Sequence, residues 1–249
     1  MTVSVPLERS EEARATMVEL FPEGFEERQG QAELDLTAYT ERGDAATLLE
    51  ALGRVRESPV ALGWEEAWKG FHQPVTIGPI WIGPPWEPAA AASIPIVIDP
   101  GQAFGTGAHA TTRLCLELLL DLEPAGLVDL GSGSGVLAVA AAKLGFAPVL
   151  ALDDDELAVE ATRANAAHNG VAVEARRADV LADALPRVEI AVANIARAPV
   201  ERAAERFDGR IVIASGYLEA ERPEPRGWRS AARRVSGDWA ADLFVRTAD

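Results

Sequence analysis

Three glycines at alternate positions, Gly131, Gly133 and Gly135, follow the run Val128-Asp129-Leu130 and precede Val136-Leu137-Ala138. That order reads as a strand end, a tight turn and a helix start. Glycines in such a turn let the backbone come close to a ligand, where any Cβ would collide with it. Twenty-four residues beyond Asp129, a second apolar run, Val149-Leu150-Ala151-Leu152, ends in Asp153. An acid at that place accepts hydrogen bonds from a ribose diol. Together the turn and the acid form a grip for a nucleotide-like cofactor. The spacing is Gly-x-Gly-x-Gly, not the Gly-x-Gly-x-x-Gly of a dinucleotide fingerprint, which favours S-adenosylmethionine over NAD.

Two further polar residues end later apolar runs. Asp179 follows the third expected core strand and is placed to meet an adenine amine. Asn194 ends Ile190-Ala191-Val192-Ala193 and is placed to reach a methyl-transfer centre. Each has a plainer reading: Gly-rich turns also serve tight packing, Asp153 can cap a helix, Asp179 can be a surface turn residue, and Asn194 can satisfy loop backbone. Their joint occurrence at successive strand ends favours a site. A further segment, Asp99 to Thr112, carries Gly101, Gly105 and Gly107 with Phe104, Thr106 and His109. It reads as a loop folding over a ligand, and Phe104 and Thr106 are its candidates for shaping a reaction pocket. Thr111 and Thr112 open a helix whose N–H groups suit a carboxylate. His109 is either a base or a structural hydrogen bonder. No His/Cys/Asp cluster suggests a metal.

The elements that position these residues follow from hydrophobic periodicity. Strands are expected at 126–130, 149–153, 171–175, 188–193 and 209–214, with helices at 110–121, 135–145, 156–168 and 198–206. Their alternation implies a parallel sheet covered on both faces. Ala231 to Trp239 and Ala241 to Thr247 flank a turn and read as an antiparallel hairpin closing a seven-stranded sheet. Residues 1–62 read differently. Strands at 2–7, 25–29, 32–40 and 55–61 and helices after Ser10 and at 45–52 give β-α-β-β-α-β, the split βαβ pattern of a small ferredoxin-like domain. Leu34, Leu36 and Ala38 should point inward. Between the two, residues 63–95 concentrate Trp64, Trp68, Phe71, Trp81 and Trp86 among prolines and read as a stiff, irregular connector glued to one domain.

The chain has 249 residues and a formal net charge of −16. Residues 1–70 hold 15 acidic and 7 basic side chains, a balance of −8. Bare nucleic acid is repelled by such a surface, whereas a basic protein partner is attracted; solubility alone is the other reading. No apolar run approaches the ~20 residues that span a bilayer, and the first residues lack a signal-peptide core. With Cys115 alone, no intramolecular disulfide is possible, and a cytoplasmic location is the simple reading. Cys115 lies in an apolar run and is expected to pack rather than react.

The segments Pro100-Gly-Gln-Ala-Phe-Gly-Thr-Gly-Ala-His-Ala-Thr-Thr112, Asp129-Leu-Gly-Ser-Gly-Ser-Gly135, Asn165-Ala-Ala-His-Asn-Gly-Val171 and Val192-Ala-Asn-Ile195 together resemble the bacterial PrmA family. Trp64-Glu-Glu-Ala-Trp-Lys-Gly-Phe71 is similar to that family's connector. The resemblance implies an α/β fold: a seven-stranded Rossmann-like class I methyltransferase domain (96–249) preceded by a small ferredoxin-like α+β domain for substrate recognition (1–62). It implies S-adenosylmethionine as cofactor and a basic ribosomal protein, L11, as the partner methylated on amino groups. By resemblance, Thr112, Gly131, Asp153 and Asn194 fall on cofactor-contact positions. Asn194, Phe104 and Thr106 are the catalytic candidates, and Gly133, Gly135 and Asp179 complete the cofactor set. The chain departs from the family at Asp153-Asp154-Asp155-Glu156, where Asp-x-Asp-Pro is usual, and at Pro223 and Pro225, which interrupt a stretch that is helical in the family. Two other readings stay open on the residues alone: the same chemistry on another protein or a small amine, and an NAD-dependent oxidoreductase.

Overall fold

The computed structural model describes residues 1–10, 13, 16, 17, 26–30, 33–38, 52–56, 73–89, 93–99 and 107–247. The chain falls into two compact units, Met1–Trp68 and Lys69–Asp249. In the first, β1 (Thr2–Pro6), β2 (Glu26–Gln29), β3 (Glu33–Thr37) and β4 (Arg54–Arg56) form an antiparallel sheet of order β2-β3-β1-β4. Alternation puts Val3 and Val5 beside Leu34 and Leu36 on one face, all buried together with Ala38, as the period of two requires. Ala13 and Met17, four residues apart on one helical face, and Leu52 belong to the same core. The opposite face is polar, with Ser4 donating to Asp35 and Arg54 paired with Glu33. The helix expected at 45–52 lies mostly outside the described residues.

The second unit begins with three short strands, β5 (Val75–Ile77), β6 (Ile80–Gly83) and β7 (Ile94–Val97), in one sheet with β6 central. This corrects the irregular connector expected there. Ile77, Ile80, Ile82 and Ile96 are buried in the same core as the helices that follow, so the backbone between them must pair with itself. The aromatic-rich composition had masked that β-branched pattern.

Next come α1 (Ala110–Leu120), β8 (Leu127–Leu130), α2 (Val136–Lys143), β9 (Val149–Asp153), α3 (Glu156–His168), β10 (Glu174–Arg177), β11 (Ile190–Asn194), α4 (Arg197–Arg206), β12 (Ile211–Leu218), β13 (Trp228–Ser236) and β14 (Trp239–Arg246). The seven strands from β8 onward make a mixed sheet of order β10-β9-β8-β11-β12-β14-β13. The first five are parallel, and β14 and β13 are antiparallel additions. A core lies on each face. Leu127 joins Leu114, Leu118, Val139 and Val159 on one side, while Val128 and Leu130 join Val200, Ala204 and Phe207 on the other. A strand buried on both faces reads as a continuous apolar run, which is what β8 is except for Asp129.

Several boundaries differ from expectation: β12 runs over Ile211–Leu218 rather than 209–214, and two other shifts have a local cause. β10 starts at Glu174, not at 171, because Val171 N–H donates to Ala166 O and Gly170 N–H to Ala167 O, each at 3.1 Å. Those bonds satisfy carbonyls at the end of α3, so Val171 belongs to a helix cap. The hairpin turns at Gly237-Asp238, with Ser236 opposite Trp239, earlier than expected. Gly237 has φ +58°, which a tight two-residue hairpin loop requires. Residues 219–227 carry no helix, as Pro223 and Pro225 imply. No described helix is long and apolar enough to cross a membrane.

Candidate functional site

The carboxyl ends of β8, β9 and β11 are where a parallel α/β sheet holds its ligand. The turn after β8 carries Gly131 at φ +81° and Gly135 at φ +78°. A Cβ on Gly131 would lie 2.6 Å from Ile195 Cγ2, and one on Gly135 would lie 2.8 Å from Thr162 side-chain atoms. Both positions therefore need glycine for conformation and for space. The turn is tied to the neighbouring strand: Gly131 and Ser132 N–H groups donate to Leu152 O at 2.8 and 3.1 Å.

Asp153, at the end of β9, is part of the same construction. Its Oδ2 accepts from Gly133 N–H at 2.9 Å and its Oδ1 from Asp155 N–H at 3.1 Å. The helix cap, the plainer role open to Asp153 in the sequence, is made by Asp155, which accepts from Leu157 N–H at 3.0 Å. Asp153 is only half-buried, and a carboxylate has about four lone-pair sites. Acceptor capacity thus remains beside the glycine turn.

Asn194 ends β11, and its Nδ2 donates to Thr112 Oγ1 at 3.3 Å. Thr112 is buried in the first turn of α1. The pairing joins residues 82 apart in the chain. His109 is the N-cap of α1: its Nδ1 accepts from Thr111 N–H at 3.4 Å and lies 2.8 Å from Thr111 Oγ1. Its ring meets Trp239 edge-on, centroids 4.9 Å apart. The cap takes up one of the N–H groups that the sequence offered to a carboxylate. Asp179 lies beyond β10, exposed, and next to Ala178, whose N–H donates to Asp153 O at 2.8 Å. Its Oδ1 accepts from Leu181 N–H at 2.7 Å, so it organises a surface turn there. Phe104 and Thr106 lie outside the described residues.

Asp129 is the residue whose importance sequence reading missed. It is 1% exposed in the middle of the sheet. Oδ2 accepts from Ala138 N–H at 3.2 Å, in the first turn of α2, while Oδ1 is buried without a partner. Burial pushes its carboxyl up to about 8; the Ala138 N–H opposes that rise and the charge of Asp153 adds to it. The only sequence signal was an acid inside an apolar strand. The Cys115 thiol is likewise pushed up by burial and then by Asp129, with a hydrogen bond involving Ser215 opposing. A thiol held protonated in the core is not a nucleophile.

The family model for ribosomal protein L11 methyltransferase (PrmA) matches residues 7–239. Among curated relatives, a ribosomal protein L11 methyltransferase of Symbiobacterium thermophilum is 41% identical over 196 residues, which cover 75% of this chain and 62% of that protein. One from Shewanella pealeana is 38% identical over 214 residues, covering 78% and 70%. The crystal structure of a ribosomal protein L11 methylase from Lactobacillus delbrueckii subsp. bulgaricus superposes with a TM-score of 0.62 at 28% identity, covering 71% of this chain and all of that one. The matched region spans less than two thirds of the Symbiobacterium relative and 55% of one from Caldicellulosiruptor saccharolyticus.

Proposed function

We propose that this chain, which belongs to the ribosomal protein L11 methyltransferase (PrmA) family, transfers methyl groups from S-adenosylmethionine to amino groups of ribosomal protein L11. Residues 96–249 are read as a Rossmann-like class I methyltransferase domain, a reading supported by the seven-stranded order with its antiparallel pair. Residues 1–62 are read as a ferredoxin-like recognition domain, supported by the sheet order β2-β3-β1-β4, and 63–95 as the stretch between the two, whose strands β5 to β7 pack within the second unit. A cytoplasmic location and a basic protein partner, without direct nucleic-acid binding, follow from the same reading.

The observation that carries the proposal is the glycine turn bonded to Asp153, with Asn194 at the neighbouring carboxyl end. Those residues fit the cofactor. The left-handed glycine turn carries no Cβ to obstruct a ligand, and Asp153 keeps unused acceptor capacity beside it. Asp153 would hold the ribose hydroxyls, Thr112 and the start of α1 the amino-acid end, and Asp179 the adenine amine. When bound, S-adenosylmethionine supplies an electrophilic methyl carbon on a sulfonium.

The acceptor amine must be neutral to attack, and a free lysine has a pKa of ~10.4. A desolvated pocket lowers that value, and alignment with the methyl carbon lowers the remaining barrier. Asn194 is suited to orienting the amine: with Nδ2 anchored on Thr112, its Oδ1 keeps a fixed direction and can accept from the amine N–H. Phe104 and Thr106 would shape the same pocket.

A second reading, the same chemistry on another protein or a small amine, draws on the non-helical stretch 219–227. Incubating the chain with labelled S-adenosylmethionine and total ribosomal proteins, then locating the label by mass spectrometry, tests both. Label on L11 amino groups is expected; label elsewhere selects the second reading, and no label on any protein refutes the first. Calorimetry should detect S-adenosylmethionine and not NAD.

A further inference from the structure

Helix α3 and its C-cap residue carry three buried polar side chains, Thr162 and Asn165 in the helix and Asn169 at the cap. Thr162 Oγ1 donates to Gly133 O at 3.1 Å and lies 3.1 Å from Ser132 Oγ. Asn165 Nδ2 donates to Ser134 O at 2.8 Å, and its Oδ1 accepts from Asp99 N–H at 3.1 Å. Asn169 accepts from Val97 N–H at 2.8 Å through Oδ1 and donates through Nδ2 to Val97 O and Asn165 O, at 2.6 and 2.8 Å. The stripe therefore runs from the glycine turn to the end of β7. Asp99 opens the stretch 99–112 that the sequence reads as a loop folding over a ligand.

Burying an amide costs free energy unless its donors and acceptor are met, and an apolar residue would fill the same space without that demand. What an apolar residue cannot do is bridge. Among these three residues only Asn165 bonds by its side chain to both the glycine turn and the Val97–Asp99 stem. It needs a donor on one side and an acceptor on the other, which a primary amide supplies and a carboxylate does not.

We propose that Asn165 is a positioning residue for cofactor binding, a single amide that ties the glycine turn at Ser134 to the backbone at Asp99, just after β7. The inference rests on reading the turn as the S-adenosylmethionine cradle. The test is calorimetric titration of the full-length parent and the Asn165→Asp variant with S-adenosylmethionine between about pH 5 and pH 8, the range in which a buried carboxyl can titrate. Protonated, the new carboxyl offers one acceptor and one O–H donor, as the amide did. Ionised, it turns an oxygen toward Ser134 O and cannot donate. Relative to the parent at each pH, binding should weaken by about tenfold across that range, the ratio expected for one buried hydrogen bond left unmade. A parent-to-variant ratio that does not change with pH overturns the proposal. Absence of binding by the parent refutes the cofactor reading itself, and this inference with it. Should Asn165→Asp fail to fold, Asn165→Ala and Asn169→Ala are compared. Both lose buried hydrogen bonds, but only the first removes the tie between Ser134 and Asp99, so it should weaken binding about tenfold more at a similar loss of melting temperature. Equal weakening overturns the proposal.

Discussion

Replacing Asp129 by Asn should make the protein more stable at neutral pH, and increasingly so as pH rises. The folded carboxyl is raised from 3.8 to about 8 because burial disfavours its charge. In the unfolded chain it ionises near the ordinary value. Between those two values the folded state holds a proton that the unfolded state has released, so stability falls as pH increases. Each pH unit costs about 1.4 kcal/mol. The penalty is absent below about pH 4, reaches on the order of 4 kcal/mol at pH 7, and levels off above about pH 8. An amide at this position has no such ionisation. It can keep the acceptor for Ala138 N–H, and it places an N–H group near the unpartnered oxygen's position at a smaller, pH-independent cost. The assay is urea unfolding of parent and Asp129→Asn at several values from about pH 5 to pH 9. The stability difference should grow by about 1.4 kcal/mol per unit to pH 8 and then stay constant. A difference that does not vary with pH would show that Asp129 ionises normally, and the argument from burial would fail.

Three further outcomes are expected. Asp153→Ala should weaken S-adenosylmethionine binding by about 2–3 kcal/mol, the scale of charge-assisted hydrogen bonds lost to a ribose; unchanged affinity in a folded variant removes Asp153 from the site. Asn194→Ala should lower kcat by about tenfold or more while changing cofactor affinity less, because its proposed partner is the attacking amine; a pure affinity change with kcat intact would make it a cofactor ligand only. A fragment from Lys69 to Asp249 should bind cofactor but lose methylation of the protein substrate, whereas one starting at Ser93 should also unfold more easily. The shorter fragment lacks β5 and β6, removing buried Ile77, Ile80 and Ile82, worth about 2 kcal/mol each. Substrate methylation by the longer fragment at the full-chain rate would refute the role given to residues 1–62.

Local order in the chain was enough for much of this molecule. A strand that ends in an acid, a turn that needs glycine and a helix that starts after it are all written in consecutive residues. Accordingly β9 has the expected bounds, α3 does too, and the glycine turn stands where its spacing put it. Alternation likewise set Leu34, Leu36 and Ala38 inward. The polar partners were beyond reach. Periodicity says which face a residue occupies, not which distant backbone group will meet it there. Asp153 bonding to Gly133, Asn194 reaching Thr112, and Asn165 joining Ser134 to Asp99 exist only because separate strands and helices are packed side by side. The misplaced start of β10 has the same origin, since Val171 is claimed by the end of α3. Asp129 is the clearest instance. In the sequence it is one acid in a glycine motif; only enclosure between β9, β11 and the first turn of α2 strips its water away and decides its protonation.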